Sequence, residues 1–312
     1  MMTKKVAIPK SLAKVGKDEL SKHQIEIIEL PDDKISTLLE LSSDADGVIW
    51  GLAPFPNETL AKMPNLKIVA RIGVGYDNLD VSYFTAHGVY VTITPKANAS
   101  TVAETTVGEI FDVSKNITND SMAMRKGDWA YKTTHMGFDL EGKTVGILGY
   151  GRIGRQVAHM VHALGMNVLI YSPHAKESPD GKVVDRETVL KDSDIVSLHM
   201  RVTPETKHSI GKREFALMKD SSVLVNLARG ELVVTADLVD ALKNKVIKAA
   251  ALDVFDEQPL PLSSPLFKLD NVLLTPHMAA NTVECMNRMS YDAASEVVLV
   301  LNGEKPLWAV TE

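Results

Sequence analysis

The chain has 312 residues, of which 45% are hydrophobic, 24% charged and 5% aromatic, with a formal net charge of −6, so about two globular domains are expected. The acidic balance excludes a nucleic-acid partner, which asks for a basic face, and no apolar run reaches the ~18 residues of a membrane span. The single cysteine, Cys285, excludes an intrachain disulfide and a cysteine-rich metal site; it is read as a packing residue in a cytoplasmic protein.

The first hundred residues alternate short apolar runs with helical stretches, the pattern of a parallel α/β sheet. Strands are expected at Val6–Ile8, Ile25–Leu30, Gly47–Trp50, Lys67–Arg71 and Val89–Thr92, and helices at Ser11–Leu20, Ile35–Leu41, Asn57–Ala61 and Val81–His87. Thr94–Asn98 reads as a crossover into one long helix, 101–125, closed by Lys126-Gly127. Then come strand Thr144–Leu148, helix Ile153–Leu164, strand Val168–Tyr171 and a polar loop, Ser172–Lys182. Helices at Arg186–Lys191, Lys212–Ala216 and Thr235–Lys243 alternate with strands at Ile195–Leu198, Ser222–Asn226, Ala249–Leu252 and Val272–Leu274. An amphipathic stretch, Thr282–Leu301, has the length to return to the first domain. The expected architecture is α/β, with two doubly wound parallel-sheet (Rossmann-like) domains flanking a cleft.

Within KTVGILGYGRIG, Gly149, Gly151 and Gly154 hold the G-x-G-x-x-G spacing between an apolar strand and a helix. The first glycine permits the tight turn, the second lets backbone approach a pyrophosphate, and the third lets helix and strand pack closely. N–H groups at the helix start then face the phosphates. Arg229, directly after the strand at 222–226, is either a bidentate carboxylate clamp or an ordinary loop arginine. His277, after a strand and a proline, is either a proton donor suited to neutral pH or a structural histidine. No spacing of His, Cys, Asp or Glu suggests a metal site.

The order RIGVGYDNLD, ANASTVAETTVGE, DLEGKTVGILGYGRIG, SLHMRVTPETKHSIG, NLARGELV, AALDVFDEQPLP and LLTPHMAANT resembles the D-isomer-specific 2-hydroxyacid dehydrogenases over nearly the whole chain. The resemblance implies a discontinuous substrate domain, 1–98 with 288–312, and a dinucleotide-binding domain, 99–287. It implies reduction of a 2-keto acid by NAD(P)H, with Arg229 gripping the carboxylate and His277 giving the proton. Val74, Gly75 and Asn98 would hold the substrate, and Leu52, Tyr76 and Met278 would shape its pocket. For the cofactor it implies Thr105, Tyr150, Arg152, Ile153, His199, Met200, Arg201, Thr206 and Ala228, with Asp253 on the nicotinamide amide. A homodimer is implied as well, with Trp129 placed to reach the partner.

Two positions depart from the family pattern. Gln258 stands where a glutamate usually pairs with the histidine, so His277 loses a charged partner and is easier to deprotonate. Adjacent Glu257 points to the opposite side of an extended segment. The formate dehydrogenases of the same superfamily resemble this chain in having glutamine there, so formate oxidation is one alternative; a dinucleotide-sensing binding protein is another. Ser172 stands where an NAD-preferring site carries an acid. With His174 and Lys176 beside it, dual cofactor use or an NADPH preference is expected.

Overall fold

The computed structural model describes residues 3–310, and its contacts divide the chain into two compact units. One runs to Asn98 and resumes at Ala280; the other is Ala99–Ala279. The sequence places the return at 288, whereas the contacts place it at Ala280, because Cys285 and Met289 form a small core with Ala97 and Arg288 Nε donates to Ala97 O at 2.9 Å. Residues 1, 2, 311 and 312 of the expected domain segments lie outside the described residues.

The first unit comprises β1 (Lys5–Pro9), α1 (Lys14–Lys22), β2 (Glu26–Leu30), α2 (Ile35–Ser42), β3 (Gly47–Trp50), a 3-10 turn at Asn57–Lys62, β4 (Ile68–Arg71), α3 (Val81–Ala86), β5 (Tyr90–Thr92) and the chain's last helix, α10 (Val283–Leu301). Its five strands are parallel in the order β2-β1-β3-β4-β5. Successive side chains of a strand face opposite ways, so a sheet covered on both sides needs apolar residues throughout, and β3 and β4 are buried along their whole length. Val6, Ile8, Ile49 and Ile68 pack with Ala293 and Val297 of α10; Ala7, Val48, Trp50 and Val69 pack with Leu38, Phe55 and Phe84. The ring of Phe55 meets Trp50 and Phe84 edge-on, at centroid distances of 5.3 and 5.5 Å. The helix expected from Ser11 starts at Lys14, after a turn closed by Leu12 N–H to Pro9 O.

The second unit contains α4 (Ala99–Lys115), α5 (Ile117–Arg125), β6 (Thr144–Leu148), α6 (Arg152–Ala163), β7 (Asn167–Tyr171), β8 (Lys182–Val183), α7 (Arg186–Asp192), β9 (Ile195–Leu198), α8 (Lys212–Leu217), β10 (Val223–Asn226), α9 (Thr235–Lys243), β11 (Ala249–Leu252) and β12 (Val272–Leu274). Seven parallel strands run in the order β12-β11-β10-β9-β6-β7-β8. Strand order reverses between β6 and β9, and in open sheets of this kind ligands bind beyond the carboxyl ends at that reversal. The expected single helix 101–125 is two helices, because Asn116 takes a left-handed conformation (φ 59°) that asparagine tolerates better than most side chains. The end at Gly127 (φ 82°) is as the sequence suggests. The two-residue β8, paired with β7, sits at the end of the stretch read as loop; two residues carry no periodicity to detect.

Candidate active site

The glycine turn follows β6, and its three glycines do three different jobs. Gly149 has φ 101°, and a Cβ there would lie 2.6 Å from the His199 carbonyl carbon. A Cβ on Gly154 would lie 2.1 Å from Gly149 O, so helix α6 sits against the turn only because that side chain is missing. Gly151, by contrast, is exposed and has nothing within 4 Å of its Cβ position. Open space beside Gly151, at the N-terminus of a 12-residue helix with no side-chain cap, fits a pyrophosphate held by backbone N–H groups of Arg152 and Ile153. Tyr150 offers only backbone there: its hydroxyl pairs with Ser178 Oγ at 2.6 Å and its ring lies under Arg155 at 4.4 Å.

Neighbouring strands bring the next candidates alongside. Gly149 N–H donates to Tyr171 O at 2.8 Å, which sets Ser172 next to the glycine turn. Ser172 O accepts from Ala175 N–H at 3.1 Å, and this turn carries exposed His174 and Lys176. On the other side, His199 N–H donates to Leu148 O at 2.7 Å. Burial pushes the His199 imidazole down to a pKa of about 4, so it is neutral, with Nε2 at 2.9 Å from Ser197 Oγ. Met200 is half-buried and Arg201 exposed; Thr206 Oγ1 donates to Arg201 O at 2.6 Å and closes that loop.

Arg229 follows β10 on a loop templated by Asn226, whose Nδ2 donates to Arg229 O at 2.8 Å and whose Oδ1 accepts from Ala228 N–H at 3.1 Å. Arg229 is half-buried and its Nη1 donates to Ala228 O at 2.6 Å. A Cβ on Gly230 would stand 2.0 Å from the Phe255 carbonyl carbon, so this loop is pressed against the segment leading from β11 to Gln258.

His277 follows β12 with φ 53°, a left-handed conformation costing roughly 1–3 kcal/mol that surrounding structure must hold. Asp253, fully buried at the end of β11, does the holding. Its Oδ1 accepts from Met278 N–H at 2.8 Å and Thr275 Oγ1–H at 2.7 Å; its Oδ2 accepts from Ala279 N–H at 2.9 Å. His277 N–H donates to Asp253 O at 2.9 Å. The resemblance gave Asp253 a place on the nicotinamide amide; in the structure its carboxylate shapes the histidine turn. Thr105 Oγ1, from α4, lies 2.9 Å from Ala279 O and ties the same turn.

Gln258 meets His277 with Nε2 at 3.0 Å from Nδ1, while its Oε1 accepts from Phe255 N–H at 3.2 Å. The Phe255 bond fixes the amide orientation, so the group facing Nδ1 is an N–H donor and Nδ1 accepts. The ring proton therefore sits on Nε2. Since adjacent strands are about 4.8 Å apart, the Arg229 and His277 loops emerge about 10 Å apart at one edge of the sheet, within reach of one small molecule.

The substrate candidates Leu52, Val74, Gly75, Tyr76 and Asn98 lie in the five-stranded unit. Leu52 follows β3 and is exposed; Val74, Gly75 and Tyr76 follow the adjacent β4. Gly73 (φ 125°) turns that chain, its N–H donating to Thr94 Oγ1 at 3.0 Å. Asn98 Oδ1 is buried without a hydrogen-bond partner, an acceptor suited to a ligand donor.

One participant went unread in the sequence. Glu109, on α4, is buried, and its Oε1 lies 2.9 Å from Thr275 Oγ1. A carboxylate on the same buried stripe as Val102, Thr106 and Ile110 is the signal that marks it.

A parallel sheet with a glycine-rich turn at its reversal point, and an arginine and a histidine at the same edge, defines a dinucleotide-dependent α/β oxidoreductase. Residues 107–279 match the family model "D-isomer specific 2-hydroxyacid dehydrogenase, NAD binding domain". The glyoxylate reductase of Thermococcus litoralis is 36% identical over 98% of this chain and 96% of its own. The D-3-phosphoglycerate dehydrogenase of Methanocaldococcus jannaschii is 40% identical over 86% of this chain, which spans about half, 52%, of that longer protein. Among solved structures, the NADPH-dependent glyoxylate/hydroxypyruvate reductase of Sinorhizobium meliloti, in complex with NADP and malonate, is similar with TM-score 0.89 and 26% identity over 99% of this chain and 97% of that one. The chain belongs to the D-isomer-specific 2-hydroxyacid dehydrogenase family, NAD(P)-dependent oxidoreductases.

Proposed function

We propose that this enzyme reduces a small 2-keto acid to the D-2-hydroxy acid with NAD(P)H, with glyoxylate the first substrate to test given its named relatives. The observation that carries this reading is the Gln258–His277 pair, which presents an Nε2–H donor beside the Arg229 loop. The Arg229 fork takes the substrate carboxylate in two parallel hydrogen bonds. Val74, Gly75 and Asn98 of the first unit are proposed as further substrate contacts, and Leu52, Tyr76 and Met278 as positions that set substrate range. Bound NAD(P)H supplies the hydride. His277 Nε2–H hydrogen-bonds the keto oxygen and yields the proton.

Gln258 sets the pH range of that last act. Losing a proton readily requires imidazolium, which needs a second proton on Nδ1. That proton would face the Gln258 N–H, donor against donor, and the amide can turn only by giving up its bond to Phe255. Reduction is therefore confined to lower pH than with a carboxylate at 258. In Gln258→Glu the descending limb of the pH–rate profile should move up by about one pH unit, because an opposite charge favours imidazolium. Superimposable profiles would sink the proton-donor role.

A second reading has the same observation behind it. Formate oxidation releases carbon dioxide as its C–H hydride departs, so no proton changes hands and a neutral Nε2–H that only orients a carboxylate suffices. NAD(P)H formation from formate, with no turnover of any 2-keto acid, would select that reading; turnover of either kind removes the sensor alternative.

Dual cofactor use or an NADPH preference is proposed from Ser172, His174 and Lys176, where no carboxylate stands to repel a 2′-phosphate. A cytoplasmic homodimer is proposed as well. Exposed apolar Ile117, Met122, Met124, Trp129 and Met136 on and after α5 support the dimer, and sedimentation checks it. Among the described residues no helix is long and apolar enough to cross a membrane.

A further inference from the structure

Thr275 has one hydroxyl proton, yet its oxygen lies 2.7 Å from Asp253 Oδ1 and 2.9 Å from Glu109 Oε1. Both contacts are hydrogen bonds only if one of the carboxyl groups brings a proton of its own. Asp253 already accepts two backbone N–H groups, which favours its charged form, whereas Glu109 Oε2 is buried with no hydrogen-bond partner. The proton belongs on Glu109. We propose that Glu109 is a positioning residue: as a neutral acid it donates to Thr275, leaving the Thr275 proton for Asp253 and so fixing the turn that carries His277.

The charges acting on Glu109 agree. Burial raises the Glu109 pKa to about 7; the hydrogen bond with Thr275 opposes it, and the nearby carboxyl groups of Asp253 and Asp112 add to it. The spans of β10, β11 and β12, which α4 packs against, contain no charged residue. On α6, which also packs on α4, Arg152, Arg155, His159 and His162 are exposed; α5 carries Asp120 and Arg125. As pH rises through about 7 Glu109 ionises, two carboxylates then compete for one hydroxyl proton, and the turn loosens.

The role of His277 as proton donor is taken from the reading above; the chain from Glu109 to the turn does not depend on it. The test compares Glu109→Gln, whose amide N–H can still donate to Thr275, with Glu109→Leu. Steady-state rates with glyoxylate and NADH are followed from pH 5.5 to 9, alongside urea unfolding. The Leu variant should lose about tenfold in kcat with KM for NADH unchanged, and the Gln variant should keep kcat within about twofold. A folded state with raised pKa is favoured by protonation. Wild type should therefore lose stability relative to Glu109→Gln as pH climbs from the ordinary glutamate value of 4.5 to about 7, and no further above it. Full kcat in the folded Leu variant, or equal losses in both variants, overturns the proposal. If wild type turns over no keto acid, the reductase reading has failed, and amide exchange decides this one separately. Lower protection of Met278 and Ala279 in Glu109→Leu alone supports it, and unchanged protection overturns it.

Discussion

Two turns at the carboxyl edge of the seven-stranded sheet solve opposite problems. The turn after β6 is shaped by what is missing: Gly149 and Gly154 leave out side chains so that strand, helix and the neighbouring His199 segment can touch, and Gly151 leaves space open. The turn after β12 is shaped by what is present. A buried carboxylate gathers two backbone N–H groups and a hydroxyl so that a histidine can hold φ 53°. A phosphate is bound by many weak donors around an empty volume, so sterics suffices. A proton must be delivered along one direction, so the ring needs a fixed hinge, and fixing it takes charge.

Substitutions at the two turns should therefore fail differently. The largest effect is expected from Gly154→Ala, whose methyl would overlap Gly149 O. A loss of about 3 kcal/mol in urea unfolding is expected. Gly151→Ala should leave the unfolding midpoint alone and weaken NADH binding by roughly tenfold in fluorescence titration, since only ligand space is filled. Equal destabilisation by both would mean that the glycines share one packing role. Next is Asp253→Asn, which sets an amide donor against the N–H groups of Met278 and Ala279. It should cost about a hundredfold in kcat, some 2.7 kcal/mol, with NADH affinity nearly intact. Parallel loss of cofactor affinity would restore the nicotinamide role to Asp253. The smallest effect falls at the margin of the first turn. Ser172→Asp should lower kcat/KM for NADPH by about tenfold and change that for NADH little, by placing a carboxylate against the 2′-phosphate. Unchanged NADPH kinetics would make 172 a bystander.

The longer strands of the second unit are legible nearly to the residue, because their centres, such as VLV in β10 and AAAL in β11, are apolar, as strands covered on both faces must be. The glycine turn was readable because its spacing encodes sterics within six residues. What escaped is set by contacts across the chain. The break at Asn116 leaves the polar pattern of a helix undisturbed. The duty of Asp253 depends on donors 22 to 26 residues away, and Glu109 acquires its partner 166 residues on. Local pattern reports faces and turns; it does not report which proton sits between two distant carboxyl groups.

The contact at Gly230 has a last consequence. Because that residue leaves no room between the arginine loop and residues 255–256, the Arg229 loop and the segment leading to Gln258 form one stiff jaw. A stiff jaw fixes the spacing between the acid end of a substrate and its reacting carbon, so substrates should diversify in the group beyond that carbon. Under the proposed function, broadening the range of this enzyme by directed evolution should then draw its changes from positions outside this jaw, and leave Arg229, Gly230 and Gln258 untouched.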